Sequence, residues 1–328
     1  MIVISKCPYR ISLLGGSTDL DWFVNRHGKG LSIGFSINAY STIAIKLKKY
    51  IPRGILNYSS REEYQNHEDI SHPIIRKCLE RIPLDYPIEM SSFGDDLSGG
   101  GLGSSSSFTV SLIKSLYEIN ENKISNFDAA HLASEIEIKD CNQPIGRQDQ
   151  YLSSLGGINI LEFRKNGKVS IIKNELIEQN ISNYVTKLFL VDTGLRRSAF
   201  KKLTQIKNEL NSYDLIKRIF DLSSNFIDNC KKAKYENIEV LLEDSLINSW
   251  NIKKSLHGVI NPELLKIEDL LETNSFKVLK LLGAGGGGYF LIKYEGNDLE
   301  KDKIKLSEYE LRIHNFEIDF DGAKVWKI

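Results

Sequence analysis

A run of glycine and serine at residues 99–107, GGGLGSSSS, leads directly into a sequence with helical periodicity. Apolar residues recur there at the spacing of one helix face: Phe108, Leu112, Ile113, Leu116 and Tyr117. Backbone amides at a helix N-terminus attract anions, and glycine lets phosphate oxygens approach the backbone closely. The run therefore predicts a phosphate-binding loop that opens into a helix at Phe108.

The same loop carries four serines. Serine hydroxyls at such a position can cap the helix and can ligate a magnesium ion bound to the phosphates. The loop is not a Walker A motif, because no Gly-Lys-Ser/Thr follows its glycines. A flexible serine linker is the alternative interpretation, but a linker would not run into an amphipathic helix.

The segment Pro8–Asp19, PYRISLLGGSTD, joins strand-like residues to a turn of small and polar groups. Glycine in such a turn allows the backbone to approach a ligand closely. Arg10 offers a permanent charge with a planar set of donors, and Asp19 can accept hydrogen bonds from sugar hydroxyls. Taken alone, such a segment is more often an ordinary turn with a surface arginine.

The glycine run at 283–288, GAGGGG, formally matches the GxGxxG pattern of dinucleotide-binding loops. That pattern must follow a strand and open a helix, whereas the next residues, YFLI, are typical of a strand. We therefore reject a dinucleotide site. A glycine loop between two strands, with Gly285 and Gly286 at its centre, predicts close backbone approach to a ligand or to another loop.

Two acidic residues follow the serine loop: Glu137 lies late in a predicted helix, and Asp149 lies in the segment GRQDQ. Two carboxylates near a phosphate loop can divide the work, one holding a metal ion and the other acting as a general base. Solvated surface acids are the alternative, and the more frequent one for acidic residues on helices and loops.

Local patterns in the first half predict both strands and helices. Apolar alternation across 33–47 predicts strands, and Pro73 suits the first turn of a helix that begins after His72. Ser125 with Asp128 predicts a capped helix, and Asn166-Gly167 between two apolar runs predicts a hairpin.

The second half is predicted to be richer in helix. Residues 196–273 contain almost no glycine or proline, which favours a cluster of helices, and YFLIKY and FEIDF predict two closing strands. At roughly 150 residues per domain, 328 residues suggest two domains, and we place them at 1–180 and 181–328. The predicted class is α+β.

Charge and cysteine content exclude several kinds of protein. The 43 Lys and Arg balance the 43 Asp and Glu, which disfavours a nucleic-acid partner. The four cysteines form no CxxC pair, as expected for a reducing cytoplasm without a zinc site. No uncharged apolar run approaches the roughly 18 residues of a membrane span. We expect a cytoplasmic protein with no membrane partner.

In combination, PYRISLLGGSTD, GGGLGSSSS, GRQDQ with the upstream Glu137, and GAGGGG resemble the motifs of the GHMP small-molecule kinases. These include galacto-, homoserine, mevalonate and phosphomevalonate kinases. Within that superfamily the chain is most similar to the bacterial D-glycero-D-manno-heptose 7-phosphate kinases, over essentially its full length. The resemblance implies a two-domain fold with the active site between the domains. Ser98 replaces a usual proline, and Arg147 replaces a more usual lysine.

The resemblance also implies roles for individual residues. ATP phosphates would lie on the loop residues Gly100, Gly101, Leu102, Gly103, Ser104, Ser105 and Ser106. Ser105 and Glu137 would ligate Mg²⁺, Asp149 would deprotonate the acceptor, and Arg10 would orient it and stabilise developing charge. Substrate contacts are expected from Ser17, Thr18, Asp19, Gly285 and Gly286. Galactokinases carry Glu-His where this chain has Gly16-Ser17, which disfavours galactose.

A phosphate on the far end of a sugar acceptor would need a cationic pocket of its own. Arg196 and Arg197 follow a predicted strand and precede predicted helix, so they are candidates. Arg147 is the competing candidate. The alternative is that the two arginines at the helix start are merely solvated.

The implied reaction is transfer of the ATP γ-phosphate to the anomeric hydroxyl of heptose 7-phosphate, giving the 1,7-bisphosphate for GDP-heptose and surface polysaccharide synthesis. A 1-kinase for an unphosphorylated sugar such as L-fucose is the alternative. A non-catalytic sugar and nucleotide sensor and a decarboxylase of the mevalonate branch are less favoured rivals. The oligomeric state stays open between monomer and homodimer.

Overall fold

Two β-sheets organise the computed structural model, which describes residues 1–97, 99–196, 199–209, 211–232 and 238–328. The strands are β1 (Ile2–Leu14), β2 (Lys29–Leu47), β3 (Gly54–Asn57), β4 (Arg61–Tyr64), β5 (Ile88–Gly94), β6 (Ile158–Arg164), β7 (Val169–Ile172), β8 (Leu188–Asp192), β9 (Phe276–Leu281), β10 (Tyr289–Tyr294), β11 (Arg312–His314) and β12 (Lys324–Lys327). The helices are α1 (Asp21–His27), α2 (Pro73–Arg81), α3 (Ser104–Ile119), α4 (Asn126–Glu135), α5 (Gln148–Leu155), α6 (Glu175–Val185), α7 (Ala199–Asn208), α8 (Ser212–Lys232), α9 (Ile238–Lys254), α10 (Pro262–Thr273) and α11 (Leu299–Ser307).

The first sheet has the strand order β12-β1-β2-β5-β3-β4, with β6 paired to β2 and β7 paired to β6. Besides β1, the long strand β2 has two further partners: its residues 41–47 pair with β5, and its residues 29–35 pair with β6. The second sheet has the order β11-β8-β10-β9 and is antiparallel throughout. This mixture of helices with largely antiparallel sheets confirms the predicted α+β class.

The register between β1 and β2 shifts after Pro8, and the strand changes the core that it faces at that point. Val3 and Cys7 lie in a cluster with α2, α3 and α4, whereas Tyr9 and Ile11 lie in the larger cluster that reaches the second sheet. Irregular strand pairing commonly re-aims side chains next to functional sites. Here it places Arg10 between the two cores.

Several local predictions are confirmed. Helix α2 begins at Pro73, and the His72 side chain accepts a hydrogen bond from the Ile75 amide. Ser125 caps α4 by accepting from the Asp128 amide at 3.0 Å. Strands β6 and β7 form the predicted antiparallel hairpin, with Asn166 and Gly167 at φ of 62° and 72° in its turn. These signals succeed because they depend on nearby residues alone.

Helix α3 begins at Ser104, four residues before the predicted start at Phe108. Gly103 adopts a left-handed φ of 75°, which ends the loop, and the four serines form the first turn. The Ser107 hydroxyl donates to the carbonyl oxygens of Gly103 and Pro8, at 3.0 and 2.7 Å. These hydrogen bonds stabilise serine in a helix, where its intrinsic propensity is modest.

The predicted closing strand FEIDF, residues 316–320, is wrong. Only an isolated bridge between Ile318 and Ile37 forms there, and β11 and β12 lie on either side of the segment. The Asp319 carboxylate accepts from the amides of Asp321 and Gly322, at 3.0 and 2.7 Å. Such an aspartate-centred turn outcompetes the local strand propensity.

The division of the chain at residue 180 stays a prediction. Residue 180 lies inside helix α6, and the C-terminal strand β12 pairs with β1 of the first sheet. Within the described ranges, none of the helices has the length and apolar character needed to cross a bilayer.

Candidate active site

A cavity of about 390 Å³ brings the four sequence motifs together. Its lining includes these residues predicted for the site: Arg10, Ser17, Asp19, Gly100, Gly101, Gly103, Ser104, Ser105, Ser106, Glu137, Asp149 and Gly285. Separate loops thus contribute phosphate-binding, acidic and basic groups to one concave surface, which is the usual form of a small-molecule site.

The two glycine loops touch each other at the cavity. A Cβ added to Gly283 would lie 2.6 Å from the Gly101 Cα, and both glycines have positive φ, 72° and 87°. The glycine run at 283–288 therefore makes the predicted close approach to another loop. A side chain at either position would push the two loops apart and change the shape of the cavity that they line.

The N-terminus of α3 faces the cavity through Ser104, Ser105 and Ser106. The first amides of a helix have no intrahelical partner, and the helix dipole adds a partial positive charge there. Leu102 does not line the cavity: its side chain is buried, and its carbonyl accepts from the Arg10 amide at 2.9 Å. That bond ties the loop to strand β1.

Arg10 links the glycine loop to Asp149. Its Nη1 donates to the Gly101 carbonyl at 2.6 Å, while Nε and Nη2 lie 2.9 and 2.7 Å from Oδ1 of Asp149. The Arg10 side chain is 4% exposed, whereas that of Asp149 is 29% exposed. The carboxylate is therefore fixed in orientation by a buried cation, yet still open to the cavity.

Asp19 is buried beside Asp149 and is held by Gln148. The Gln148 amide and side-chain Nε2 donate to its two oxygens at 2.9 and 3.1 Å. Burial, opposed by these hydrogen bonds and reinforced by the charge of Asp149, raises the pKa of Asp19 to about 7. Gln148 in turn accepts from the hydroxyls of Ser12 and Ser32, so its own side chain is held in position.

Gly146 is required for this arrangement, because a Cβ there would lie 1.9 Å from Oδ2 of Asp19. We expect Gly146→Ala to displace the Asp19 carboxylate and to raise the KM of the acceptor by about 10-fold or more, the loss typical of a charged hydrogen bond. The KM for nucleotide should change little. An unchanged acceptor KM in Gly146→Ala would contradict the expected contact of Asp19 with the acceptor.

Glu137 lies in a π-helical turn, Ile136–Asp140, directly after α4. Its side chain is fully buried, and its Oε2 accepts from the Ser106 hydroxyl at 2.9 Å and from Nε2 of Gln150 at 2.6 Å. Burial raises the pKa of Glu137 to about 7. The other oxygen, Oε1, has no hydrogen-bond partner in the described part of the chain.

A buried carboxylate oxygen without a partner is costly unless a ligand completes it. Oxygen donors from Glu137 and the neighbouring serines are the type that Mg²⁺ prefers. Among the residues that the structure describes, no three His, Cys, Asp or Glu side chains converge as a metal cage. Magnesium usually takes one or two protein ligands together with phosphate oxygens and waters.

Some predicted site residues do not reach the cavity. Thr18 is buried, and its hydroxyl bonds the Gly15 and Leu31 backbone. The Gly286 amide donates to the Val259 carbonyl. Arg147 is enclosed by Asp21 and Glu135, with its Nε 3.1 Å from Oδ1 of Asp21.

Arg196, after β8, does not line the cavity either. Arg196 is exposed and pairs with Asp192 at 2.7 Å. Arg197 lies outside the described residues.

Two lysines that the sequence analysis missed do line the cavity: Lys253 at the end of α9 and Lys280 in β9. Lys280 is a charged residue between two apolar strand residues, Leu279 and Leu281, and it is only 5% exposed. A lysine inside an apolar strand pattern was the available signal. Lys253 gave no such signal, since helices end in lysine routinely.

The chain is similar to known proteins in sequence and in fold. The model of the GHMP kinases N terminal domain matches residues 73–157. A D-glycero-alpha-D-manno-heptose 7-phosphate kinase of Campylobacter jejuni is 27% identical over 336 residues, which cover 99% of this chain and 98% of the relative.

Solved structures show the same fold. That of a D-glycero-D-manno-heptose 1-phosphate kinase from Bacteroides thetaiotaomicron has a TM-score of 0.75 at 21% identity and covers 99% of both chains. The mevalonate kinase of Methanococcus jannaschii has a TM-score of 0.69 at 22% identity, covering 97% of this chain and 98% of that one. The matched domain contains the serine loop, Glu137 and Asp149, and its motifs meet Arg10 in one cavity. Residues 73–157 therefore match the N-terminal domain of the GHMP kinases, and the chain is similar over nearly its full length to a sugar kinase, an enzyme that transfers phosphate to an alcohol group.

Proposed function

We propose that this kinase transfers the γ-phosphate of ATP to the anomeric hydroxyl of D-glycero-D-manno-heptose 7-phosphate, producing the 1,7-bisphosphate as a step towards GDP-heptose for a surface polysaccharide. The observation that carries the proposal is the Asp149 carboxylate, held by Arg10 beside the glycine loop and open to the cavity. The similarity to the Campylobacter jejuni enzyme over nearly the full chain supports the choice of sugar.

The glycine-serine loop holds the phosphates of ATP in this proposal. Gly100, Gly101 and Gly103 allow close approach, and the N-terminus of α3 supplies amides and a partial positive charge. Phosphoryl transfer depends mainly on positioning and on neutralising charge spread over the phosphate oxygens. The glycine-serine loop, which packs against Gly283, provides the positioning.

Glu137 and the serines Ser105 and Ser106 are the residues that would hold Mg²⁺. Glu137 lines the cavity, and its Oε1 has no hydrogen-bond partner in the described part of the chain, which supports a metal ligand at this position. When bound, the ion neutralises phosphate charge and orients the transferred group. The buried Ser106 hydroxyl and Gln150 fix the carboxylate for this purpose.

Asp149 accepts the proton of the acceptor hydroxyl. An anomeric hydroxyl is more acidic than other sugar hydroxyls, so a carboxylate is a sufficient base. The bonds from Arg10 to Oδ1 leave Oδ2 of Asp149 for the proton. Arg10 also places a permanent positive charge where negative charge develops during transfer.

Asp19 and Ser17 orient the sugar from the turn after β1. Both line the cavity, and Asp19 can accept from sugar hydroxyls through lone pairs that Gln148 does not use. Its fixed position would align the anomeric hydroxyl with Asp149.

A screen of acceptors tests the proposal: ADP formation is coupled to a detectable reaction and measured over neutral sugars and sugar phosphates. The proposal predicts the highest kcat/KM with heptose 7-phosphate. Turnover with L-fucose but not with heptose 7-phosphate would support the alternative 1-kinase, and the absence of turnover with every acceptor would support the sensor.

Ser105 and Ser106 have different surroundings, which gives a separate prediction. Ser105 is exposed to the cavity, whereas Ser106 is 3% exposed and donates to Glu137. We expect Ser105→Ala to raise the Mg²⁺ concentration needed for half-maximal rate with little loss of stability. Ser106→Ala should also lower the free energy of unfolding, by about 1–3 kcal/mol, because it removes a hydrogen bond to a buried carboxylate. Unchanged Mg²⁺ titrations in both variants would remove the serines from the metal site.

A further inference from the structure

Two lysines stand on the wall of the cavity that the second half of the chain supplies. Nζ of Lys280, in β9, donates to the carbonyls of Ser12 and Leu13 at 2.9 and 2.6 Å. Nζ of Lys253, at the end of α9, donates to the carbonyls of Leu281 and Gly283 at 3.1 and 2.5 Å. Both residues line the cavity, and both are held in place by backbone oxygens.

Neither ammonium group has a carboxylate partner within the described ranges of the chain. Their bonds are to neutral carbonyls. The three acids of the cavity lining are engaged elsewhere: Asp149 with Arg10, Asp19 with Gln148, and Glu137 with Ser106 and Gln150. Burial lowers the pKa of Lys253 to about 8, and the nearby charge of Arg10 adds to this. Burial likewise lowers the pKa of Lys280 well below its usual range, with further contributions from Lys253 and Arg10.

A buried positive charge without a counter-charge is unfavourable for the folded protein. A ligand that brings negative charge relieves this cost and binds more tightly because of it. Two neighbouring ammonium groups match a phosphate, which carries up to two negative charges and several acceptor oxygens.

The position of the lysines relates them to the acceptor. Lys280 reaches β1 at Ser12, and the Ser12 hydroxyl bonds Gln148, the residue that holds Asp19. The nucleotide phosphates already have the glycine loop and the N-terminus of α3. The arginines considered from the sequence, Arg147 and Arg196, pair with carboxylates away from the cavity lining.

We propose that Lys253 and Lys280 bind the phosphate that the sugar acceptor already carries, and that they make the enzyme selective for phosphorylated over neutral sugars. This inference rests on the proposed function, because it assumes that the acceptor is a sugar that occupies the side of the cavity marked by Asp19. It assigns the acceptor phosphate to a lysine pair in place of an arginine.

Substitution by methionine, which keeps the aliphatic length and removes the charge, tests the pair. We measure kcat/KM for heptose 7-phosphate and for unphosphorylated heptose in Lys253→Met and Lys280→Met. Each variant should lose about 10- to 100-fold of the preference for the phosphorylated sugar, the range for one hydrogen bond between charged groups. The KM for ATP should stay near the wild-type value. Lys277→Met is the matched control, because Lys277 lies on the same strand and pairs with Glu243 outside the cavity lining.

Three results would count against the proposal in distinguishable ways. An equal fall in kcat/KM with both sugars, or a raised KM for ATP with an unchanged preference, would assign the lysines to the nucleotide and overturn the inference alone. A wild-type enzyme that phosphorylates no sugar phosphate would overturn the proposed function, and the inference with it. Wild-type kcat/KM values for both sugars and a wild-type KM for ATP in both methionine variants would overturn the inference while leaving the proposed function intact.

The wild-type protein offers a second test that does not require the variants to fold. Lys253, with its lowered pKa, has a larger neutral fraction near pH 8 than an ordinary lysine and should react readily with an amine-acylating reagent. Mass spectrometry then reads the modification at Lys253 with heptose 7-phosphate, heptose or ADP present. Protection by heptose 7-phosphate and not by heptose or ADP supports the proposal, and protection by ADP alone overturns it.

Discussion

Asp149→Asn should lower kcat by about 10²–10⁴-fold, the usual cost of losing a positioned general base, while the affinity for ATP stays near that of the wild type. Asparagine keeps the shape of the side chain and an oxygen that can accept from Arg10. It cannot take the proton of the acceptor hydroxyl. The Asp149 carboxylate is partly exposed to the cavity and lies in the first turn of α5, so its loss should not disturb the core.

Steady-state rates with saturating ATP and acceptor, together with calorimetric titration of nucleotide, measure both parts of this result. Arg10→Lys serves as a companion variant, because lysine keeps one positive charge but lacks the planar set of nitrogens with which Arg10 bonds Asp149 and the Gly101 carbonyl. A variant Asp149→Asn that retained more than about a tenth of the wild-type kcat would contradict its role as the base.

Glu137→Gln should abolish most magnesium-dependent turnover and, in the absence of magnesium, should stabilise the folded protein. The fully buried carboxyl has its pKa raised to about 7, against 4.5 ordinarily. Between these values the folded state binds more protons than the unfolded state, so stability falls as pH rises and stays low above pH 7. Ionisation of Glu137 therefore lowers the free energy of unfolding of the wild type by on the order of 3 kcal/mol between low pH and pH 8. The variant has no ionisable group at this position and avoids that loss.

Denaturant unfolding in a chelating buffer at pH 5 and pH 8 measures this effect. We expect the variant to exceed the wild type by about 1–3 kcal/mol at pH 8 and by much less at pH 5, the gain being reduced because the new amide hydrogens lack acceptors. Added Mg²⁺ with nucleotide should stabilise the wild type and have less effect on the variant. A variant less stable than the wild type at pH 8 would show that the charge of Glu137 is already compensated inside the protein.

Sequence patterns predicted those parts of the fold whose cause is local. Pro73 at the start of α2 and Asn166-Gly167 in the hairpin act through backbone geometry that these residues carry with them. The glycine run at 283–288 likewise predicted a close approach of its backbone to another loop, and Gly283 lies against Gly101.

Other features depend on residues far apart in the chain and could not be predicted. The turn at Asp319 depends on Tyr40, which donates to its carboxylate across the sheet at 2.7 Å, as well as on its own neighbours. Arg147 lies within the motif GRQDQ, but Asp21 and Glu135 hold its side chain away from the cavity lining. The two cavity lysines become visible only when β9 and α9 are packed against β1.

The identity of the phosphorylated oxygen tests the central claim most directly. Purified protein is incubated with ATP, Mg²⁺ and heptose 7-phosphate, and the sugar product is examined by ³¹P NMR. The coupling of each phosphorus to the hydrogen on the carbon that bears the phosphate identifies the phosphorylated oxygen. The account predicts a second phosphate signal that couples to the anomeric hydrogen, beside the retained 7-phosphate. A second phosphate on any other carbon, or consumption of ATP without a bisphosphate product, would contradict it.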